Sequence, residues 1–582
     1  MNYTLNTEQQ KKVSVTGALK TLYALVSHEK RNLVIAGVAV IASTAFNLLV
    51  PFLIGRAVDQ YIVPGDYRGV VHTSLILLAV FVAAFIAAYV QTSVMGAVAQ
   101  RMLYTLRGSI FNKLQELPVS FFNQNKTGDL ISRINNDTNK LNQFFSQSLV
   151  QLVASVFMMI GTAVFILSMN WQLGLVALAP AALLLVITQL VSPWIKRKNA
   201  CSLKEVGSLS AEVQESIDNF KVTVAFNRRD YFRENFKTAN DKNFSTAITA
   251  GLANSIFTPL YGLFAHVAQL IVLIYGIYLI GTGVITIGVL IAFLAFLLRF
   301  YDPLRQLAAI WASFQVALAG WDRINAILVL SNDMEVLPSQ TTSNKKALIA
   351  FDDVSFTYPE GKSVLKNISF TLDSGKIYAL VGPTGGGKTT TASLLSRLFD
   401  PTEGTIFLEG RDIRSFSAQE RSERIGFLLQ EPFLFSGTVG ENIFYGSTDT
   451  YDKAIAEKAI HEAGLSDLVK RFEQGLETVV TGSAGTMSLG ERQIIAFMRA
   501  VIRKPKLLIL DEATANIDTV TEQLLEDILT KLPKETTLVI IAHRLNTIER
   551  ADEIFFVNSG TITTAGSLEH AVSMIMGQKR TS

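Results

Sequence analysis

Lys376–Leu395, KIYALVGPTGGGKTTTASLL, is the stretch on which the reading of this chain turns. An apolar strand runs into a glycine-rich loop, and the loop opens a helix. The loop fits the pattern G-x-x-x-x-G-K-T at Gly382, Gly387, Lys388 and Thr389, with Pro383, Thr384, Gly385 and Gly386 between and Thr390 after. Glycines in such a loop let backbone N–H groups wrap phosphates. The lysine reaches the outer phosphates, the hydroxyl takes Mg²⁺, and the helix N-terminus adds a favourable dipole. A glycine-rich turn with no ligand is the bland alternative, and the strand–loop–helix order argues against it.

Downstream, PKLLILDEATANID (Pro505–Asp518) gives four apolar residues in a row, the pattern of a buried parallel strand. Asp511 at its end is placed to hold Mg²⁺ and Glu512 to polarise an attacking water. A surface acidic pair is the alternative, but not one expected after a second apolar strand in a chain that already carries the phosphate loop. TTLVIIAHRL adds another apolar strand with His543 just beyond it, where a histidine can hydrogen-bond a terminal phosphate. Gln430 ends a short strand in IGFLLQEPFLFSGTVGENI, and Tyr358 ends one in FDDVSFTYPEG. A tyrosine there is usually packing; with the phosphate loop nearby it becomes a candidate adenine platform.

The half before this region is of another kind. The chain has 582 residues, 49% hydrophobic and 17% charged, and the apolar runs concentrate before Gly320. Crossing a hydrocarbon core takes roughly 20 apolar residues, and six segments qualify: 32–54, 70–94, 148–169, 173–192, 252–280 and 284–300. LILLAVFVAAFIAAYV shows no polar face at helical spacing, which excludes a soluble bundle. Short loops alternate with connections of about fifty residues. The long connections hold Arg101, Arg107, Lys113, Lys126 and Arg133, then Lys196, Arg197, Lys198, Arg228, Arg229 and Arg233. Positive residues stay inside, so both long connections, the N-terminal segment and the second half are expected in the cytoplasm. SVTGALKTLYALVSHEKR (Ser14–Arg31) fits an interfacial helix or a soluble docking helix. His266 could face a substrate cavity or bond to a neighbouring carbonyl. Arg299 and Asp302 are expected to snorkel or to pair with each other, and Pro51, Pro180 and Pro259 to kink their helices.

A net charge of +3 points away from a nucleic-acid partner. The single cysteine, Cys201, excludes an internal disulfide. The opening residues lack the pattern of a signal peptide.

These motifs, in this order and spacing, resemble the nucleotide-binding domain of ATP-binding cassette transporters, and six spans ahead of one such domain resemble an exporter half-transporter. The resemblance implies an all-α six-helix transmembrane domain followed by an α/β P-loop nucleotide-binding domain. The expected division is 1–31 for the interfacial region, 32–325 for the membrane domain, 326–347 for a linker and 348–582 for the nucleotide-binding domain. It implies ATP and Mg²⁺ as cofactors and Tyr358 as the adenine-stacking residue. It implies Thr389, Gln430 and Asp511 at the metal, Glu512 and His543 as catalytic and switch residues, and Asp518 as a dimer-contact residue. Coupling helices are expected near Asn125–Asp137 and Phe226–Asn235.

GTMSLGERQ (Gly485–Gln493) is similar to the family signature L-S-G-G-Q-x-Q, with Ser488, Gly490 and Gln493 matching. Leu489 stands for a glycine, Glu491 for a glutamine and Met487 for a leucine, and Gly482 stands where exporters commonly carry a glutamate. Leucine adds a Cβ where the backbone approaches a phosphate, and Glu491 adds like charge, at about 1 kcal/mol if solvated. Ser488 to Glu491 also reads as a helix capping box. An altered signature beside intact Glu512 and His543 is typical, in the family, of one partner in a heterodimeric exporter, although a homodimer stays open. The expected activity is ATP-driven export of amphipathic small molecules, drugs or lipids, from a bacterial inner membrane, in contact with membrane lipids. A soluble cassette ATPase is contradicted by the six spans, an importer by the fusion of both parts, and a peptide exporter is disfavoured by the short segment before the first span.

Overall fold

The architecture comes from a computed structural model, which describes residues 3–5, 29–332, 334–338, 347–359, 361–430, 432–446, 452–481, 487–511, 519–530, 532–541, 548–566, 569–570 and 573. Two compact units emerge. One contains Asn6–Gln115 and Gly128–Val329, the other Met1–Leu5, Glu116–Thr127 and Leu330–Ser582.

In the first unit all six apolar segments are helical, and six helices are long and apolar enough to cross a membrane. They are α1 (Lys30–Ala57, continued by a π-turn, Val58–Ile62), α2 (Tyr67–Glu116), α6 (Leu149–Met169), α7 (Trp171–Asp218), α10 (Phe257–Gly281) and α11 (Ile287–Leu328). The lead into α6 is helical through α4 (Thr127–Ser132) and α5 (Thr138–Gln143), and that into α10 through α9 (Arg229–Ser255). The spans therefore run well past a bilayer's thickness. Two six-residue helices lie in the long connections: α3 (Val119–Gln124), which belongs to the second unit, and α8 (Phe220–Ala225). Each precedes the stretch expected for it: Thr127 and Arg229 already begin the returning arms.

Lipid tails are as apolar as leucine, so close packing rather than hydrophobic burial holds such helices together. The interior of this unit accordingly uses small residues, Ala177, Ala181, Ala268 and Ala292, around Phe293 and Phe296. Gly55 and Gly288 sit where α1 meets α11; a Cβ at Gly288 would lie 2.0 Å from the Gly55 carbonyl oxygen. At the same end the Asp59 carboxylate accepts from the Gly288 N–H at 2.7 Å and from the Thr286 hydroxyl, capping α11 from a helix 227 residues earlier in sequence.

The prolines act through their missing N–H. Pro51 frees the carbonyl of Asn47, and the Arg299 guanidinium donates to it at 2.5 Å. Tyr301 donates its hydroxyl to Ala177 O at 3.3 Å, in the turn that Pro180 loosens. Pro259 lies four residues past Ser255, where α9 gives way to α10. Of the two alternatives for Arg299 and Asp302, mutual pairing is not found among the described residues: Asp302 pairs with Arg305, at 3.9 Å. His266 is exposed and its Nδ1 lies 3.1 Å from Gln269 Oε1, one turn along its own helix. Of Ser14–Arg31, only the last three residues are among those described.

The nucleotide-domain part of the second unit is built on two large sheets and a short antiparallel pair, β7 (Gly437–Thr438) with β8 (Val479–Val480). Strands β2 (Ser363–Leu372), β1 (Ile349–Thr357), β4 (Glu403–Leu408) and β5 (Arg411–Asp412) form an antiparallel sheet in that order. The second sheet runs β12-β11-β3-β10-β9-β6, with β12 (Thr561–Thr564) antiparallel at its edge. Its five parallel strands are β11 (Glu553–Asn558), β3 (Ile377–Val381), β10 (Thr537–Ile541), β9 (Leu507–Asp511) and β6 (Ile425–Leu428). The continuous apolar runs follow from burial on both faces. Tyr378, Leu380, Ile509 and Val539 pack toward β1 and β2, whereas Ala379, Val381, Leu508, Leu510 and Ile540 pack with Ile494 and Phe497 of α17 (Leu489–Val501).

Candidate functional site

Parallel strands present their carboxyl ends together, and here those ends carry the polar residues. Leu380, Ile541 and Asp511 are in register across β3, β10 and β9, and Leu428 pairs with Leu510 beside them. Adjacent strands sit about 4.8 Å apart, so Asp511 lies about 10 Å across the sheet from the end of β3. Gln430, two residues past the end of β6, is exposed on the neighbouring edge, while Asp511 is buried.

The loop 382–387 joins β3 to α12 (Lys388–Leu395) and turns on left-handed glycines: φ is +143° at Gly382, +81° at Gly385 and +116° at Gly387. Two of the glycines have a reason that the motif does not announce. A Cβ would come within 2.1 Å of the Val557 carbonyl oxygen at Gly382 and 2.6 Å at Gly386. The loop thus lies against the backbone of β11, and the turn after β11 supports it, with Gly560 N–H donating to Gly386 O at 3.4 Å. Lys388 is buried and its ammonium donates to Gly382 O at 2.9 Å and Pro383 O at 3.1 Å, which holds the charge over the mouth of the loop. Thr389 is exposed at the head of α12, whereas Thr390 is buried and its hydroxyl lies 3.1 Å from that of Tyr358. Edge-to-face contacts with Phe356 and Phe399 fix the Tyr358 ring further. Pro383, Thr384 and Gly385 are exposed along the loop's outer side.

Ser488 caps α17. Its hydroxyl accepts from Glu491 N–H at 3.2 Å and donates to Glu491 Oε2 at 2.9 Å, while the same carboxylate oxygen accepts from Ser488 N–H at 2.7 Å. The S-x-x-E capping box is present, with the single hydroxyl proton of Ser488 committed to Glu491. Gly490 lies in the first turn, Gln493 is buried, and Met487 packs against the core below. Glu512, Asp518 and His543 fall outside the described residues; Asp511 ends β9 just before the first, and β10 ends two residues before the last.

The structure therefore gathers Tyr358, the loop 382–390, Gln430 and Asp511 around the carboxyl edge of one sheet, the usual ligand side of an open α/β sheet. Hydroxyl, amide and carboxylate oxygens at Thr389, Gln430 and Asp511 are the hard donors that Mg²⁺ prefers.

Comparison with known proteins gives two family matches. Residues 33–304 match the family model described as the ABC transporter transmembrane region, and residues 365–515 match that described as ABC transporter. The chain is 34% identical over 571 residues to the uncharacterized ABC transporter ATP-binding protein YfiC of Bacillus subtilis, covering 96% of this chain and 92% of that one. It is 32% identical over 509 residues to the fatty acid ABC transporter ATP-binding/permease protein of Mycobacterium tuberculosis, covering 87% and 80%. It is 31% identical over 557 residues to the ATP-dependent lipid A-core flippase of Syntrophus aciditrophicus, covering 94% and 91%.

Proposed function

The chain belongs to the ATP-binding cassette transporter family, as an exporter half-transporter that couples ATP hydrolysis to transport in a membrane, and on that premise we propose that it exports amphipathic, lipid-like compounds by alternating access. The observation that carries the ATP side is the loop 382–390 set beside Asp511 at the carboxyl edge of the parallel sheet. The lipid-like substrate rests on relatives named for a fatty acid and for lipid A-core. The proposed divisions are those of the sequence: membrane domain 32–325, linker 326–347, nucleotide-binding domain 348–582.

In this reading Tyr358 stacks on adenine and Gly382–Thr390 wrap the phosphates, with Lys388 exchanging the carbonyls of Gly382 and Pro383 for phosphate oxygens. Thr389, Gln430 and Asp511 would hold Mg²⁺, which would supply positive charge against that of the outer phosphates. Glu512 polarises the attacking water, and His543 senses the terminal phosphate. Half-transporters of the family act as dimers, so Ser488, Gly490 and Asp518 face the nucleotide of a second chain. That second chain is a different half-transporter, because the signature is altered here while Glu512 and His543 are retained.

ATPase activity in vesicles tests both parts. Amphiphile-stimulated turnover that Glu512→Gln abolishes is expected, and turnover surviving that substitution would remove Glu512 from its role. Brisk, transport-linked turnover by this chain purified alone would replace the heterodimer with a homodimer.

A further inference from the structure

Arg299 is the single Lys, Arg, Asp or Glu in the six apolar segments. It lies twelve residues into α11 and its partner Asn47 seventeen residues into α1, about 18 Å and about 25 Å from the helix ends that face opposite sides of the membrane. It is the next-to-last residue of the apolar segment 284–300, and its guanidinium is turned to the Asn47 carbonyl of α1.

One of its five N–H donors goes to the Asn47 carbonyl that Pro51 leaves open. A neutral donor would suffice for that carbonyl, so the positive charge is surplus to it. Asp302, one turn on, lies beside Arg305 instead. Among the described residues no carboxylate pairs with Arg299. The face it belongs to is polar: Arg299, Asp302 and Gln306 recur at helical spacing, the Asp302 side chain is 66% exposed, and Gln306 accepts from Gln151 of α6 at 2.5 Å. An exposed carboxylate does not face lipid, so this face of α11 is not turned to the bilayer.

We infer that Arg299 binds the anionic headgroup, carboxylate or phosphate, of the transported amphiphile. This rests on the export reading above and narrows it to substrates of one charge. A guanidinium suits either oxyanion through bidentate hydrogen bonds, and desolvating the pair inside the membrane domain strengthens its attraction.

The test uses the full transporter, with its partner chain where assembly needs it, in nanodiscs of neutral lipid. ATPase stimulation is titrated with palmitate, phosphatidic acid and uncharged methyl palmitate, each relative to the same protein's basal turnover. Arg299→Gln should raise the half-maximal concentration of palmitate or phosphatidic acid at least tenfold and leave that of methyl palmitate unchanged. Arg299→Lys should retain most of the anion response. Whichever anion loses more in Arg299→Gln identifies the headgroup, carboxylate or phosphate. Pro51→Ala combined with Arg299→Gln restores a helical partner to Asn47 O, so persistence of the anion defect in the double variant separates ligand binding from a structural role. Equal loss for charged and uncharged amphiphiles, or recovery in the double variant, would overturn the assignment. A wild-type response confined to uncharged amphiphiles overturns the anion assignment alone. No response to any amphiphile removes the export reading as well.

Discussion

At the scale of single residues, the glycines of the phosphate loop are not interchangeable. Gly385 has φ +81° and open space where a side chain would project, whereas Gly386 has no left-handed φ and lies against Val557 O. Gly385→Asn therefore keeps a residue that tolerates the left-handed region and is expected to change ATP affinity less than threefold. Gly386→Ala forces the loop off β11, an overpacking cost of about 1–3 kcal/mol. It should weaken ATP binding at least tenfold in a fluorescent-nucleotide titration and lower the melting temperature. A different trade is set at Glu491. Glutamine also completes a capping box, so Glu491→Gln keeps the helix start while removing the charge beside Ser488. Melting should be unchanged and ATP turnover of the assembled transporter should rise severalfold; unchanged turnover would mean that Glu491 serves only the cap.

Between elements, long-range polar contacts decide how the pieces join. Glu409, in the turn from β4 to β5, bonds to Arg424 at 3.1 Å just before β6 and to Lys506 just before β9, tying one sheet to the other. Partial burial pushes its carboxyl up, but the hydrogen bonds from Lys506 and Arg424 outweigh that and hold it below the usual range. A folded value below the unfolded value of about 4.3 means that the stabilisation is present above that pH and is lost as pH falls through the folded value. Such a partly exposed group contributes about 1 kcal/mol. Glu409→Gln should therefore melt about 1–3 °C lower at pH 7, and the gap to wild type should close as pH falls below about 4.3, the unfolded value, and through the lower folded one. Contacts of this kind were not legible in the sequence. The six spans and the phosphate loop were, because apolar length and the G-x-x-x-x-G-K-T spacing are local. Nothing local announces that Asp59 caps α11, that Arg299 meets a proline-freed carbonyl, or that Val557 makes Gly382 and Gly386 necessary. The short helices α3 and α8 start six residues before the stretches expected for the same reason: where an arm turns depends on what the turn packs against. Met1–Leu5 gives a further example. Tyr3 is buried at 1% exposure, with Asn125 donating to its carbonyl and accepting from Leu5 N–H as a neighbouring strand would.

For the whole molecule, the two units each leave an apolar surface suited to another chain. In the membrane unit, α8 and its flanks expose Ile217, Phe220, Val222 and Phe226, the last at 74%. In the nucleotide unit a groove of about 390 Å³ is lined by Leu429, Phe433, Phe435, Tyr445 and Arg499. Its wall is held rigid by Asn442, which is buried and bonds to Phe435 N–H, Phe435 O and Thr438 O, and by Arg499, which donates to Phe433 O. Exposed apolar patches of this kind mark interaction sites. Phe220 is exposed, so Phe220→Asp should leave the melting temperature unchanged and lower recovery of the assembled transporter on size-exclusion chromatography at least threefold, because a carboxylate entering an apolar interface without a partner is strongly disfavoured. Unchanged recovery would mean that the α8 patch is not a contact with another chain.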